Sequence, residues 1–132
     1  MSEETFLDVD TSGAKEPAAV SAGEYQVQIV EGIMGVDKND HNYFLPRFEI
    51  LNEPYSKEFT KFFGLPHEEK SEKQKNSDKF ALDSFKTCFG IKKQKFSMDD
   101  IAGLTGWVIL GLGKEDPEYG VQNYIKKFIL PK

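Results

Sequence analysis

Residues 71–90 read Ser-Glu-Lys-Gln-Lys-Asn-Ser-Asp-Lys-Phe-Ala-Leu-Asp-Ser-Phe-Lys-Thr-Cys-Phe-Gly, and here the period of the chain changes. Ser71 and Gln74 have the spacing of a capping box, in which hydroxyl and amide side chains satisfy the N–H groups that the first helical turn leaves free. Leu82, Phe85 and Phe89 then recur at helical spacing, and Gly90 suits the left-handed residue that ends a helix. One main helix therefore lies past the middle of the chain, with strand-like sequence on both sides.

Upstream, Tyr25, Val27 and Ile29 alternate with Gln26 and Gln28, which predicts a strand with one buried face, beginning near Gly23. The polar cluster Asp37–Asn42 makes a turn. A second strand runs from Tyr43 to Leu51. Phe44, Pro46, Phe48 and Ile50 share one face; Tyr43, Leu45, Arg47 and Glu49 share the other. Pro46 cannot donate a ladder hydrogen bond, which predicts an edge position or a bulge. Asn52–Lys57 is the next turn, and Glu58–Gly64 is a third strand closed by Pro66. Downstream, Ser97 and Asp100 repeat the N-cap pattern before a short helical turn over Met98–Gly103. Trp107–Leu112 is a nearly all-apolar strand, Tyr119–Leu130 a longer mixed one, and Gly113–Gly120 a polar hairpin loop between them.

The order is strand, strand, strand, helix, strand, strand, with no internal repeat. The expected class is all-β with one main helix, arranged as a five-stranded OB-fold barrel (β-β-β-α-β-β). A fatty-acid-binding-type barrel has a similar length, but its helices come early and it needs about twice as many strands. Residues 1–21 are acidic, rich in Ala, Ser, Gly and Pro, and without periodicity, which reads as a flexible arm. Residues 22–132 form the one OB-fold domain that a chain of 132 residues accommodates.

No apolar run approaches the roughly 18 residues that a membrane span needs, and nothing near Met1 resembles a signal peptide. The single Cys88 excludes an internal disulfide and fits a reducing compartment, so a soluble, cytoplasmic protein is expected. A net charge of −5 argues against a polyanionic partner until its distribution is considered. Residues 57–95 hold ten lysines against six acids, between acidic flanks, and local charge governs contact with a polyanion. The same stretch reads equally well as a solvated helix face.

Catalytic and metal chemistry find little foothold. His41, His67 and Cys88 show no ligand spacing, and a structural zinc normally takes four ligands; no metal or cofactor is expected. Cys88 beside Phe89 on a helix reads as a buried structural thiol. Gly111-Leu112-Gly113-Lys114 lacks the full phosphate-loop spacing, and no carboxylate sits in an apolar context. The expectation is a binding protein, not an enzyme.

An OB barrel binds oligonucleotides on the face of its second and third strands, framed by the loops joining strands 1–2 and 4–5. Single-stranded DNA offers base faces to aromatic rings and phosphates to cations. Tyr43 and Arg47 face outward on the second strand, and Arg47, the only arginine, can stack on a base or fork onto a phosphate. The alternative for Arg47 is a cross-strand carboxylate partner. On the third strand Phe59, Lys61 and Phe63 share one face, Thr60 and Phe62 the other. With Lys61 outward beside Arg47, Phe63 is the stacking candidate and Phe62 is core; a bulge reverses that assignment. Lys38 in the first loop and Lys114 in the last are candidate phosphate guides. Lys126 and Lys127 point to opposite faces, so at most one joins the groove, and Lys126 is the candidate. Trp107 is read as core ahead of stacking.

Several stretches carry a resemblance. Ala22-Gly23-Glu24-Tyr25, Leu45-Pro46-Arg47-Phe48-Glu49-Ile50-Leu51 followed by Pro54, Phe85 to Gly90-Ile91, Leu104-Thr105-Gly106-Trp107, and Asn123 to Pro131 cover most of residues 22–131. In this order and spacing the chain resembles a family of short bacteriophage proteins from replication and recombination gene clusters, whose members look like OB-fold single-stranded DNA-binding proteins. The resemblance implies phage origin, work in the host cytoplasm, and single-stranded DNA as partner. Many such proteins end in an acidic tail that recruits partners; here the end is Ile129-Leu130-Pro131-Lys132. The acidic and aromatic segment is N-terminal instead (Glu3, Glu4, Phe6, Leu7, Asp8, Asp10). It is a candidate for docking replication or recombination proteins or for competing with DNA; a merely solubilising arm is the alternative. The expected function is sequence-tolerant single-stranded DNA binding without a cofactor. The rival is an OB-fold protein–protein interaction or assembly module, and a homo-oligomer is compatible with either.

Overall fold

The computed structural model describes residues 5–131, and Ser71 opens the main helix as the sequence predicts. Its backbone is extended and its hydroxyl accepts the Gln74 N–H at 3.1 Å. Only half the capping box forms, because the Gln74 amide turns to Asp78 instead. Helix α1 spans Glu72–Phe89 and ends where Gly90 adopts φ +73°, with the Ile91 N–H returning to Lys86 O at 2.8 Å. Phe85, Cys88 and Phe89 are its buried stripe. The second, short helix α2 is Met98–Ile101.

The strands are β1 (Gly23–Val36), β2 (Asn42–Ile50), β3 (Phe59–Thr60), β4 (Phe63–Gly64), β5 (Thr105–Leu112) and β6 (Asn123–Phe128). All pairs are antiparallel, in the order β3-β2-β1-β5-β6, with β4 also beside β2. β1 is long enough to serve two partners: Gly23–Gln28 pair with β5 and Val27–Val36 with β2, across a bulge between Ile29 and Glu31. That bulge and a second between Ile109 and Leu110 bend the sheet. The sheet curls into a half-barrel in which edge strands β3 and β6 approach each other. No ladder between β3 and β6 closes it among the described residues.

β3 and β4 are one predicted strand broken in the middle. Both halves keep the same register on β2, Phe48↔Phe59 and Phe44↔Phe63, so the break falls opposite Leu45 and Pro46. Pro46 is therefore in an internal strand, neither at an edge nor in a bulge. Its carbonyl accepts the Lys61 N–H at 3.2 Å, and the N–H it lacks would have pointed to that same side. The ladder fails at the one residue that cannot answer it.

Inside the curl, Phe44, Phe48, Phe59, Phe63, Phe85, Phe89 and Phe128 form a continuous phenyl network, closed by Val27, Ile29, Val108 and Leu110. Seven of the eleven phenylalanines are thus consumed by the core, so the aromatic richness is mainly structural. Phe62 and Phe80 stand outside it.

The arm is tied down at its end. Ala18 bridges Ser56, exchanging bonds with Tyr55 O and the Lys57 N–H at 3.0 Å each. Asn123, buried at the start of β6, accepts the Val20 N–H and donates to Val20 O, both at 2.9 Å, and donates to Gly111 O. Residues 5–18 have exposed side chains, among them Phe6, Leu7, Asp8 and Asp10; Glu3 and Glu4 of the acidic segment lie outside the described residues, as does Lys132.

Candidate nucleic-acid interface

After the bulge in β1, Glu31, Ile33 and Gly35 stand opposite Arg47, Leu45 and Tyr43. The Tyr43 ring lies directly over Gly35, where a Cβ would come within 2.8 Å of the Tyr43 hydroxyl. A glycine there lets the ring lie along the sheet. Phe62, 57% exposed, stacks on Tyr43 with ring centroids 5.4 Å apart and planes 27° apart. Ile33 and Leu45 continue this outer face toward Arg47.

Arg47 faces outward as expected, but it is engaged. Its Nη2 lies 2.8 Å from Glu31 Oε1 and its Nε 2.8 Å from Glu58 Oε2. The second contact is an ion pair without hydrogen-bond alignment, since the buried Nε–H is not aimed at an acceptor. Two carboxylates thus share one guanidinium, and Glu49 faces the same side of the sheet.

Phe63 is corrected from stacking candidate to core residue. It is 2% exposed and packs on Phe44 and Phe85. The alternation runs unbroken from Phe59, which is anchored on Phe48, so Phe63 points inward with it and Phe62 outward. Lys61 shares the inward phase and leaves the core at the open seam between β3 and β6. Its Nζ reaches 5.3 Å from the Phe63 ring centre, and burial lowers its pKa.

The bulge in the β5–β6 pairing leaves both Lys126 and Lys127 exposed, where strict alternation would have separated them. With Lys61 and Phe80 they line a cleft of about 610 Å³ along the seam. Lys38 and Lys114 lie exposed in the β1–β2 and β5–β6 loops. The expected site residues thus fall into an aromatic platform (Tyr43, beside Arg47), a lysine-lined seam (Lys61, Lys126) and two loop lysines, with Phe63 withdrawn. Phe62, Phe80 and Lys127 join them. Phe80 was legible as an apolar residue off the Leu82–Phe85–Phe89 stripe; Phe62 needed the β2 register. Trp107 is also corrected: Gly106, Val108 and Leu110 fill the inward positions, so its ring is half-exposed, opposite Gln26.

Cys88 is a structural thiol. It donates to Trp107 O at 3.3 Å, and burial pushes its pKa up to about 11, away from a reactive thiolate. The two histidines, far apart in sequence, meet beside Glu69. Among the described residues no helix is long and apolar enough to cross a membrane. Residues 7–120 match a family described as "Protein of unknown function (DUF669)". No curated protein matches the chain.

Proposed function

We propose that this chain, which belongs to the DUF669 family, is a sequence-tolerant single-stranded DNA-binding protein built on an OB-type barrel. The strand order β3-β2-β1-β5-β6, with the main helix ahead of β5, is the arrangement that barrel uses. The observation that carries the reading is the outward Tyr43–Phe62 stack, with Phe62 exposed between β3 and β4 over the half-buried Tyr43 of β2. Bases stack on such rings whatever their identity, which gives affinity without sequence preference. Lys38, at the loop that frames this face, supplies phosphate contact, and the Lys61, Lys126 and Lys127 seam offers a continuation of the strand's path. No catalytic step is part of this reading. The resemblance to bacteriophage replication and recombination proteins supports a role in those processes in the host cytoplasm.

Fluorescence anisotropy of a labelled poly-dT oligonucleotide at two salt concentrations, with duplex DNA as control, tests it. Single-strand binding that weakens with salt, and little duplex binding, is the expected result. No binding to either at low salt sinks the DNA reading. A second reading then takes over, a protein-interaction barrel, and the Glu31 and Glu58 carboxylates on Arg47 favour it because they repel phosphate from the middle of the outer face.

A further inference from the structure

We propose that His41, His67 and Glu69 form a binding site for a divalent transition-metal ion of the zinc type, independent of the DNA reading. Their donor atoms all lie within 4.8 Å of one another. The imidazole centroids are 4.4 Å apart, and His41 Nε2 is 3.5 Å from Glu69 Oε2. Donors bound tetrahedrally at zinc's usual 2.0–2.2 Å stand roughly 3.3–3.6 Å apart. A closure of at most about 1.5 Å therefore brings all three onto one ion.

The donors are held from behind. Asp37 Oδ1 accepts the N–H groups of Asn39 and His41 at 2.8 and 3.0 Å, which fixes the turn that presents His41. The Glu69 N–H donates to His67 Nδ1 at 3.1 Å, which sets the ring in the loop and leaves that nitrogen unprotonated; an ion ligated there takes the place of the Glu69 N–H. The loop itself is closed by the Lys70 N–H on His67 O at 2.9 Å and locked to α1 by Lys70 Nζ, which donates to Leu65 O and to the buried Asp78, each at 2.8 Å. Gln74 completes the lock on the other Asp78 oxygen. Backing of this kind is what orients metal ligands elsewhere.

Two imidazoles with one carboxylate suit zinc and its neighbours, whereas magnesium and calcium prefer all-oxygen sets. Three protein donors leave a fourth position for water. The ion would pin the β1–β2 loop to the segment before α1. The sequence hides this site because His41 and His67 sit in different loops, and only the β2–β4 pairing, Tyr43 with Gly64, draws those loops together.

The test is calorimetric titration of Zn2+ into the full-length, tag-free, chelator-treated chain, with Mg2+ as control. We expect one Zn2+ per chain, no Mg2+ binding, and affinity at least roughly 10-fold weaker in His41→Gln and in His67→Gln, the lower end of what even an outer-shell partner costs. Cys88→Ser should bind as wild type, which excludes a thiol site. Metal-free melting of each variant confirms that it folds, and Glu69→Gln, on an exposed side chain, stands in if a histidine variant does not. Absence of saturable Zn2+ binding at one per chain overturns the proposal. So does unchanged affinity in both histidine variants, which would reduce the cluster to a tilted ring pair.

Discussion

Tyr43 and Phe62 lie face to face on the outer sheet surface, while Phe63, the next residue along, is sealed into the core against Phe44 and Phe85. Neighbouring phenylalanines therefore have opposite predicted phenotypes. Phe62→Ala and Tyr43→Ala should each weaken poly-dT binding by about 1–3 kcal/mol with little change in melting temperature. Phe63→Ala should cost about 3–5 kcal/mol of stability in denaturant unfolding. Unchanged affinity in both platform variants would remove the stacking mechanism.

Asn123 is 4% exposed and spends its amide on the backbone of Val20 and Gly111. It is the latch that seats the end of the N-terminal arm along the curled sheet. Asn123→Ala leaves buried backbone groups unpaired, a loss of about 1–3 kcal/mol. Limited proteolysis should then open new cleavage between residues 15 and 22. Wild-type stability together with a wild-type digestion pattern would show that the arm is held by other means.

What could be foreseen was local. Ser71, Gly90 and the Phe85–Phe89 stripe define α1 through contacts within a turn or two, and the alternation of β2 fixed its two faces through Phe44 and Phe48. What could not be foreseen depended on distant pairing. Aromatics lie on both faces of Glu58–Gly64, so only the register Phe48↔Phe59 decides that Phe62 is outside. Trp107 in an apolar strand reads as core until the sheet places Val108 and Leu110 inward. The arm's seat needs Asn123, and although a cross-strand carboxylate for Arg47 is the alternative the sequence offers, which carboxylates answer it, Glu31 and Glu58, depends on the neighbouring strand and loop.

Cys88 offers a pH-dependent readout. Burial raises its pKa from 9.0 to about 11, against the smaller lowering by hydrogen bonds with Ile129 and Trp107. The folded chain therefore holds this proton more tightly than the unfolded one. Its contribution to stability is complete below pH 9.0 and is lost as pH rises toward about 11. Cys88→Ala should flatten that alkaline decline, and native protein at neutral pH should resist thiol alkylation until denaturant is added. Rapid alkylation of the native chain would contradict the buried thiol.

Arg47 gives the sharpest test of whether nucleic acid crosses the middle of the outer face. In the free protein its guanidinium is held by Glu31 and Glu58, with Glu49 on the same side, so any phosphate arriving there must displace a carboxylate and approach the others. The Glu31→Gln, Glu58→Gln double variant keeps the shapes and removes two negative charges. If the strand passes over Arg47, the variant should bind poly-dT more tightly. Its log K against log salt slope should steepen by roughly 0.7 per phosphate newly engaged. Arg47→Ala should act in the opposite direction, because it leaves Glu31 and Glu58 without their counter-charge. If neither variant moves affinity or salt slope while Tyr43→Ala does, the strand runs along the aromatic end alone and Arg47 serves only to pin β1, β2 and the segment leading into β3 together.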